Sequence, residues 1–232
     1  MLHRYVPRTG SVKRTLLLTG IAVVTLGAST GAAVSATAAH HHRHGKFSCE
    51  AWGANLGGTT FAVANKRYTP CSTKHGRVKM AGRTLGTANV KLGVITSNTK
   101  MKRHRGVRAG KTKALASART ATAKVGSLKI GAATSSATYT CVAKGHKLVP
   151  KLKVHSNVAY IIANGKKQKI GSKSVTKKLG PLGLGGIIRF NRVIKSGHTT
   201  TVRAVEIDLL GNKPTIVLAQ SRVSYTGNPC AR

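Results

Sequence analysis

Ile187-Ile188-Arg189-Phe190-Asn191-Arg192-Val193-Ile194, the turn Lys195-Ser196-Gly197-His198 and the run over residues 199–210 decide the fold class. β-Branched and aromatic residues fill both runs, a Ser-Gly pair separates them, and neither carries an apolar stripe of helical period. Gly211-Asn212-Lys213-Pro214 turns the chain again and residues 215–225 return. The continuous apolar stretch Ile216-Val217-Leu218-Ala219 predicts an inner strand covered on both faces. A meander of this kind buries its apolar face only against a second layer, so the expected fold is all-β, a β-sandwich-like single domain.

The same texture extends upstream. Residues 48–56 read as a first strand, Gly57-Gly58 as a turn and residues 59–63 as the return. Residues 85–96 read as one strand. Residues 114–125 are rich in alanine, but Thr120 and Thr122 and the narrow apolar face favour strand over helix. Residues 92–99 (Leu-Gly-Val-Ile-Thr-Ser-Asn-Thr) echo residues 130–137 (Ile-Gly-Ala-Ala-Thr-Ser-Ser-Ala), as two strands lying together in one sheet would, or two strands that merely share a β-rich composition.

The N-terminus reads as an export signal. Arg4, Arg8, Lys13 and Arg14 precede an apolar run over residues 16–26, and Ala36-Thr37-Ala38 fits a small-residue cleavage site. The run is short for a membrane span, which needs about 20 residues. The expected organisation is a signal peptide over 1–38, a disordered His-rich tail over 39–47 and a β-rich domain over 48–230. Cutting after Ala36 or Ala39 is the alternative. The mature chain is then secreted, held at the cell wall by charge rather than by an anchor. Its four cysteines, an even number in an exported chain, predict two disulfides. Cys49–Cys71 and Cys141–Cys230 are the favoured pairing of three connectivities.

Charge dominates the composition. Forty lysines and arginines face three carboxylates, Glu50, Glu206 and Asp208, for a formal charge of +37. Cleavage after Ala38 leaves 36 basic residues against 3 acidic ones, about +33. Such a surface binds anionic polymers through counterion release, and wall teichoic acid, extracellular DNA and acidic polysaccharide all qualify. Acid tolerance is the competing explanation, because three carboxylates leave little to protonate between pH 7 and 3. The densest stretch, residues 100–113, reads as an exposed, extended loop carrying Lys100, Lys102, Arg103, Arg105, Arg108, Lys111 and Lys113. Lys166, Lys167, Lys169, Lys173, Lys177 and Lys178 form a second candidate group.

Other chemistry is weaker. Cleavage after Ala38 would expose Ala39-His40-His41, a terminal amine with histidine in third place that suits Cu(II) or Ni(II); cleavage after Ala39 puts His42 there. A solvated tail is the plainer reading of these histidines, and no cofactor is expected. Glu206 and Asp208 stand two apart and share a strand face, where salt links to basic neighbours outweigh catalysis. Gly180-Pro181-Leu182-Gly183-Leu184-Gly185-Gly186 lacks the Lys-Ser/Thr ending of a phosphate cradle and reads as a loop. Few and scattered aromatics argue against base stacking and sequence-specific nucleic-acid recognition, leaving non-specific contact.

Residues 184–193, Leu-Gly-Gly-Ile-Ile-Arg-Phe-Asn-Arg-Val, and the strand over 200–207 resemble the C-terminal motifs of exported actinobacterial choice-of-anchor P family proteins. The resemblance implies an extracellular, mainly β domain and supplies no functional residues. The expected function is non-enzymatic binding of anionic extracellular polymer. A structural or adhesion protein with incidental charge is the first alternative, and a secreted hydrolase drawing on Asp208 is the second.

Overall fold

The computed structural model describes residues 45–72, 76–81, 83–85, 90–103, 106–180, 185–210 and 215–231, all within one compact unit over 42–232. The expected signal peptide over 1–38 and His40, His41 and His42 lie outside these residues. Every regular element is a strand: β1 Lys46–Leu56, β2 Thr59–Asn65, β3 Gly76–Met80, β4 Arg83–Leu85, β5 Val90–Leu92, β6 Ile95–Lys102, β7 Lys113–Thr120 and β8 Ala123–Val125. They continue as β9 Leu128–Ile130, β10 Ala133–Lys144, β11 Lys147–Ala163, β12 Lys166–Gly171, β13 Val175–Lys178, β14 Gly186–Ser196, β15 Thr199–Leu209 and β16 Ile216–Thr226. The protein is all-β, with two antiparallel sheets facing each other. One has six strands in the order β13-β14-β15-β16-β1-β2, and the other has ten and curls upon itself.

The ten-stranded sheet is a meander of long strands, each jogged once. β5 runs through Gly93-Val94 into β6, β7 through Ala121-Thr122 into β8, and β9 through Gly131-Ala132 into β10. β11 jogs at Ala159-Tyr160 without losing its pairing. Backbone bonds cross these jogs, Gly93 N to Thr122 O and Ala121 N to Val94 O at 2.8 Å, with the Gly131–Tyr160 and Ala159–Ala132 bonds repeating the pattern at 2.8 Å. Each jog advances the inward position by three residues instead of two: Leu92 and Ile95, Thr120 and Ala123, Ile130 and Ala133, Val158 and Ile161 are all buried. The sheet bends there and wraps its short strands around the core. Glycine makes the bend possible: a Cβ on Gly93 would sit 2.4 Å from Thr122 Oγ1, and one on Gly131 2.7 Å from the Tyr160 ring.

The six-stranded sheet has a matching crease. Its pairing steps over Asn191, Ala204, Ala219, Gly53 and Ala62, one residue on each of five neighbouring strands. Asn191, Ala219 and Ala62 take left-handed backbone at φ 53°, 50° and 53°, a conformation that costs a non-glycine residue about 1 kcal/mol or more. The opposite sheet compensates. Thr120 Oγ1 donates to Gly53 O at 2.7 Å, Ser97 Oγ donates to Ala62 O, and Ser156 Oγ meets Asn191 Oδ1 at 2.8 Å. Asn191 Nδ2 in turn donates to the carbonyls of Gly171 and Lys173 at 2.9 and 2.7 Å. Ser97, Ala118, Ser135 and Ser156 stand in one cross-strand row, which brings the Ser97 and Ser156 hydroxyls to the crease at the same level.

This polar seam separates two apolar clusters. One gathers Leu92, Val125, Leu128, Ile130, Phe190, Ile207 and Leu218 under the bent end. The other gathers Phe47, Met101, Tyr139, Val202 and Val223 around the cysteines. Both disulfides close there, Cys49–Cys71 across 22 residues and Cys141–Cys230 across 89, as the cysteine count anticipates.

Several sequence expectations are corrected. β1 begins at Lys46, so Lys46 and the buried Phe47 belong to the sheet rather than to the tail over 39–47. Residues 85–96 are not one strand: Leu85 ends β4 and pairs antiparallel with Val90 of β5, so the chain reverses between them, and the jog at Gly93 then sets β5 off from β6. The echoed segments do share a sheet, but they flank β7 rather than touch: Ile95 and Ala133 both pair with Thr120, and Ser97 and Ser135 both with Ala118. Residues 100–113 are not one extended loop. β6 keeps its alternation as far as Lys102 because Ser97, Thr99 and Met101 point inward, and β7 resumes at Lys113. The connection is pinned rather than extended. Gly110 N donates to Cys141 O at 2.7 Å, Cys141 N to Thr112 O at 3.0 Å and Thr112 N to Arg108 O at 3.1 Å.

Candidate polyanion-binding faces

The three carboxylates of the chain lie on the outer side of one sheet. On β15, Glu206 and Asp208 project from the same face, as their spacing requires. Glu206 is only 3% exposed, yet it receives Arg189 at 3.2 Å, Arg203 at 2.7 Å and Arg192. Asp208 holds Arg189 as well, and this hydrogen bond leads the effects that raise the Arg189 pKa above its ordinary value. Arg203 Nε also donates to Gln220 Oε1 at 2.8 Å.

Two strands away, Glu50 on β1 lies 3.7 Å from Arg222 on β16. Burial raises the Glu50 pKa above the usual carboxylate range, while Arg222 and the Trp52 indole oppose it. Arg222 and Arg67 flank the Tyr68 ring, each 4.7 Å from its centroid. The Arg222 hydrogen bond lowers the Tyr68 pKa. Arginine therefore takes every carboxylate, and among the described residues no lysine joins a side-chain ion pair.

The outer side of the ten-stranded sheet has the opposite character. Strand register arranges it in rows: Lys79-Thr96-Arg119-Thr134-Asn157, then Asn98-Ser117-Ser136-His155, then Lys100-Leu115-Thr138-Lys153, then Lys102-Lys113-Thr140-Lys151. Rows stand about 7 Å apart along the strands and neighbours about 4.8 Å apart across them. A shallow groove of about 250 Å³ runs over Thr96, Asn98, Ser117, Arg119, Thr134, Ser136 and His155. This face has no carboxylate. It offers ammonium groups around a floor of hydroxyls, and both kinds of group donate hydrogen bonds to anionic oxygen.

The candidate residues divide among several places. Lys100, Lys102 and Lys113 lie on this face. Arg103, Arg108 and Lys111 lie exposed on the connection at its end, and Arg105 is outside the described residues. The second group is not continuous with the first. Lys166, Lys167 and Lys169 are on β12, which pairs only with β11, while Lys177 and Lys178 are on β13, the terminal strand of the other sheet. Lys173 is exposed between these two strands, and Lys177 Nζ donates to Gln168 Oε1.

Sequence reasoning missed Lys79, Arg119, Lys151 and Lys153, which reach the face only through sheet register. It also missed Lys91, Lys124 and Lys129, whose signal was available. Each is the centre of an apolar-Lys-apolar triplet, Val-Lys-Leu, Ala-Lys-Val and Leu-Lys-Ile, with the lysine exposed and both neighbours buried. The described residues contain no group of three or more histidine, cysteine or acidic side chains placed to hold a metal ion. Among the same residues no helix is long and apolar enough to cross a membrane. Compared with family models, curated proteins and solved structures, the chain finds no match in any of the three.

Proposed function

We propose that this chain is an exported, non-enzymatic protein that binds anionic extracellular polymers through the outer side of its ten-stranded sheet. One observation carries the reading, the segregation of charge. All three carboxylates are tied to arginines on the six-stranded sheet, and the opposite outer side is left with uncompensated cations among hydroxyls. Incidental cationic charge needs no such separation. Solubility is served as well by interspersed signs. The signal peptide, retention at a cell wall by charge and kinship with choice-of-anchor P proteins belong to the same proposal. A hydrolase would draw on Glu206 or Asp208, and both are occupied by Arg189.

Binding of the mature protein to a phosphate polymer across a salt series tests the proposal. The logarithm of affinity should fall linearly with the logarithm of salt, at about 0.7–0.9 per phosphate contact. Reversing charge across the outer side of the ten-stranded sheet, with Lys91→Glu, Lys124→Glu and Lys129→Glu added to Lys100→Glu, Lys113→Glu and Lys153→Glu, should flatten that slope by about 2 or more. An unchanged slope, or no affinity for any anionic polymer in dilute buffer, refutes it.

A further inference from the structure

Around the bend, the outer side of the curled strands carries a ladder of lysines. Lys91 pairs with Lys124 and Lys124 with Lys129, so three lysines stand in cross-strand register, one on each of three strands about 4.8 Å apart. Like charges directly opposite weaken a sheet, and no carboxylate is bonded to any of the three. The row continues through Ile162 to Lys167, whose Nζ lies 4.4 Å from the centroid of the Tyr160 ring. A cleft of about 330 Å³ opens beside the ladder, lined by the lysines together with Thr122, Tyr160 and Ile162. The glycines of the jogs shape its floor, because a Cβ at Gly93 or Gly131 would collide with Thr122 or Tyr160.

We infer that this cleft is a binding site for a linear polyol phosphodiester chain laid across the strands. The inference rests on the proposed polyanion-binding function and names the site and ligand chemistry within it. Three features select the ligand. Single charges spaced one per strand in a straight line suit an extended multivalent anion rather than a compact one. The ladder is lysine alone, a point charge that accepts tetrahedral phosphate from many directions, whereas this protein meets its planar carboxylates with arginine. Between the charges the floor is ring and aliphatic carbon, from Tyr160 and Ile162, with the Thr122 hydroxyl beside it. That surface matches the C–H and hydroxyl groups of a polyol spacer, which bare polyphosphate lacks.

The test compares two triple variants of the mature protein that lose the same charge: K91Q/K124Q/K129Q in the ladder and K100Q/K113Q/K153Q on the flat face. Probes are synthetic poly(glycerol phosphate), inorganic polyphosphate, polygalacturonate and single-stranded DNA, titrated at fixed salt, with unfolding curves confirming that both variants fold. The ladder variant should lose about tenfold or more in affinity for poly(glycerol phosphate), and its salt slope should fall by about 2. The flat-face variant should lose several-fold less on that probe, and wild-type protein should prefer it to the other three at equal charge. Equal losses from both triples, or tighter binding of polygalacturonate, polyphosphate or DNA, overturn the ladder site while leaving general polyanion binding intact. Failure of wild-type protein to bind any of the four overturns both.

Discussion

Replacing Glu206 with glutamine removes the charge around which three arginines converge, and nearly preserves side-chain volume. The carboxylate side chain is 4% exposed, with Arg189 at 3.2 Å, Arg203 at 2.7 Å and Arg192 in contact. At an effective dielectric near 20, one unit charge about 4 Å away contributes about 4 kcal/mol of attraction. Desolvation of the carboxylate offsets several kcal/mol of that sum. Removing one partner of a buried pair costs about 3–5 kcal/mol. Here the arginine side chains keep 29–42% of their exposure, so water relieves part of their repulsion and about 3 kcal/mol is expected. For a folded unit of this size, that loss lowers the melting temperature by about 6–12 °C. Equilibrium unfolding in urea at pH 7 measures it, and Asp208→Asn serves as the control. Asp208 is 38% exposed and shares Arg189 with Glu206, so its loss should cost about 1 kcal/mol or less. If the two variants unfold alike, or Glu206→Gln costs under about 1 kcal/mol, the argument that Glu206 organises this face is wrong.

Three further outcomes are expected. Removing Cys141–Cys230 by paired alanine substitution should cost more than removing Cys49–Cys71, about 4.6 against 3.4 kcal/mol for separations of 89 and 22 residues; the reverse order in urea unfolding contradicts the chain-entropy account. Burial raises the folded-state pKa of Glu50 above its ordinary 4.5, so between those two values the folded state holds a proton that the unfolded state releases. Stability therefore rises as pH falls from the raised value to the ordinary one and is level below it. The melting temperature of wild type minus that of Glu50→Gln should climb through that window, and a flat or falling difference is the contrary result. Gly131→Ala drives a Cβ to 2.7 Å from the Tyr160 ring and should cost about 1–3 kcal/mol; a neutral effect on thermal unfolding would mean that the ring swings away freely.

The C-terminal hairpins were legible because their inward residues are large and apolar, Ile188 and Phe190 on β14 and Ile216 and Leu218 on β16. The disulfides were legible because four cysteines without a C-x-x-C pair, behind an N-terminus that reads as an export signal, have few other uses. Along β6, β7 and β10 many of the inward residues are small or polar, among them Ser97, Thr99, Ala116, Ser135 and Ala137, and these weaken the apolar alternation. Ser97 is suited to the inside because the creased sheet turns the Ala62 carbonyl toward it, a fact stated only by the partner strand. The jogs hid for another reason. By shifting the inward position one residue, each breaks the period of two on which strand recognition depends, so no alternation marks where β5 ends at Leu92 and β6 begins at Ile95. The charged face was legible in amount but not in place. Lys79, Arg119 and Lys153 are distant in sequence, and register alone brings them onto the face that carries Lys100.

The lysines of β12 and β13 have a consequence separate from ligand capture. Among the described residues no strand pairs with the outer side of either strand, and along such an edge a second copy of the chain can zip on. Lys-Lys-Gln-Lys on one and Thr-Lys-Lys on the other forbid that contact by mutual repulsion while the ammonium groups are bare. An anionic polymer that neutralises them lifts the prohibition. Mixtures near charge balance should accordingly turn turbid through strand-to-strand stacking of protein copies, and clear again when either component is in excess.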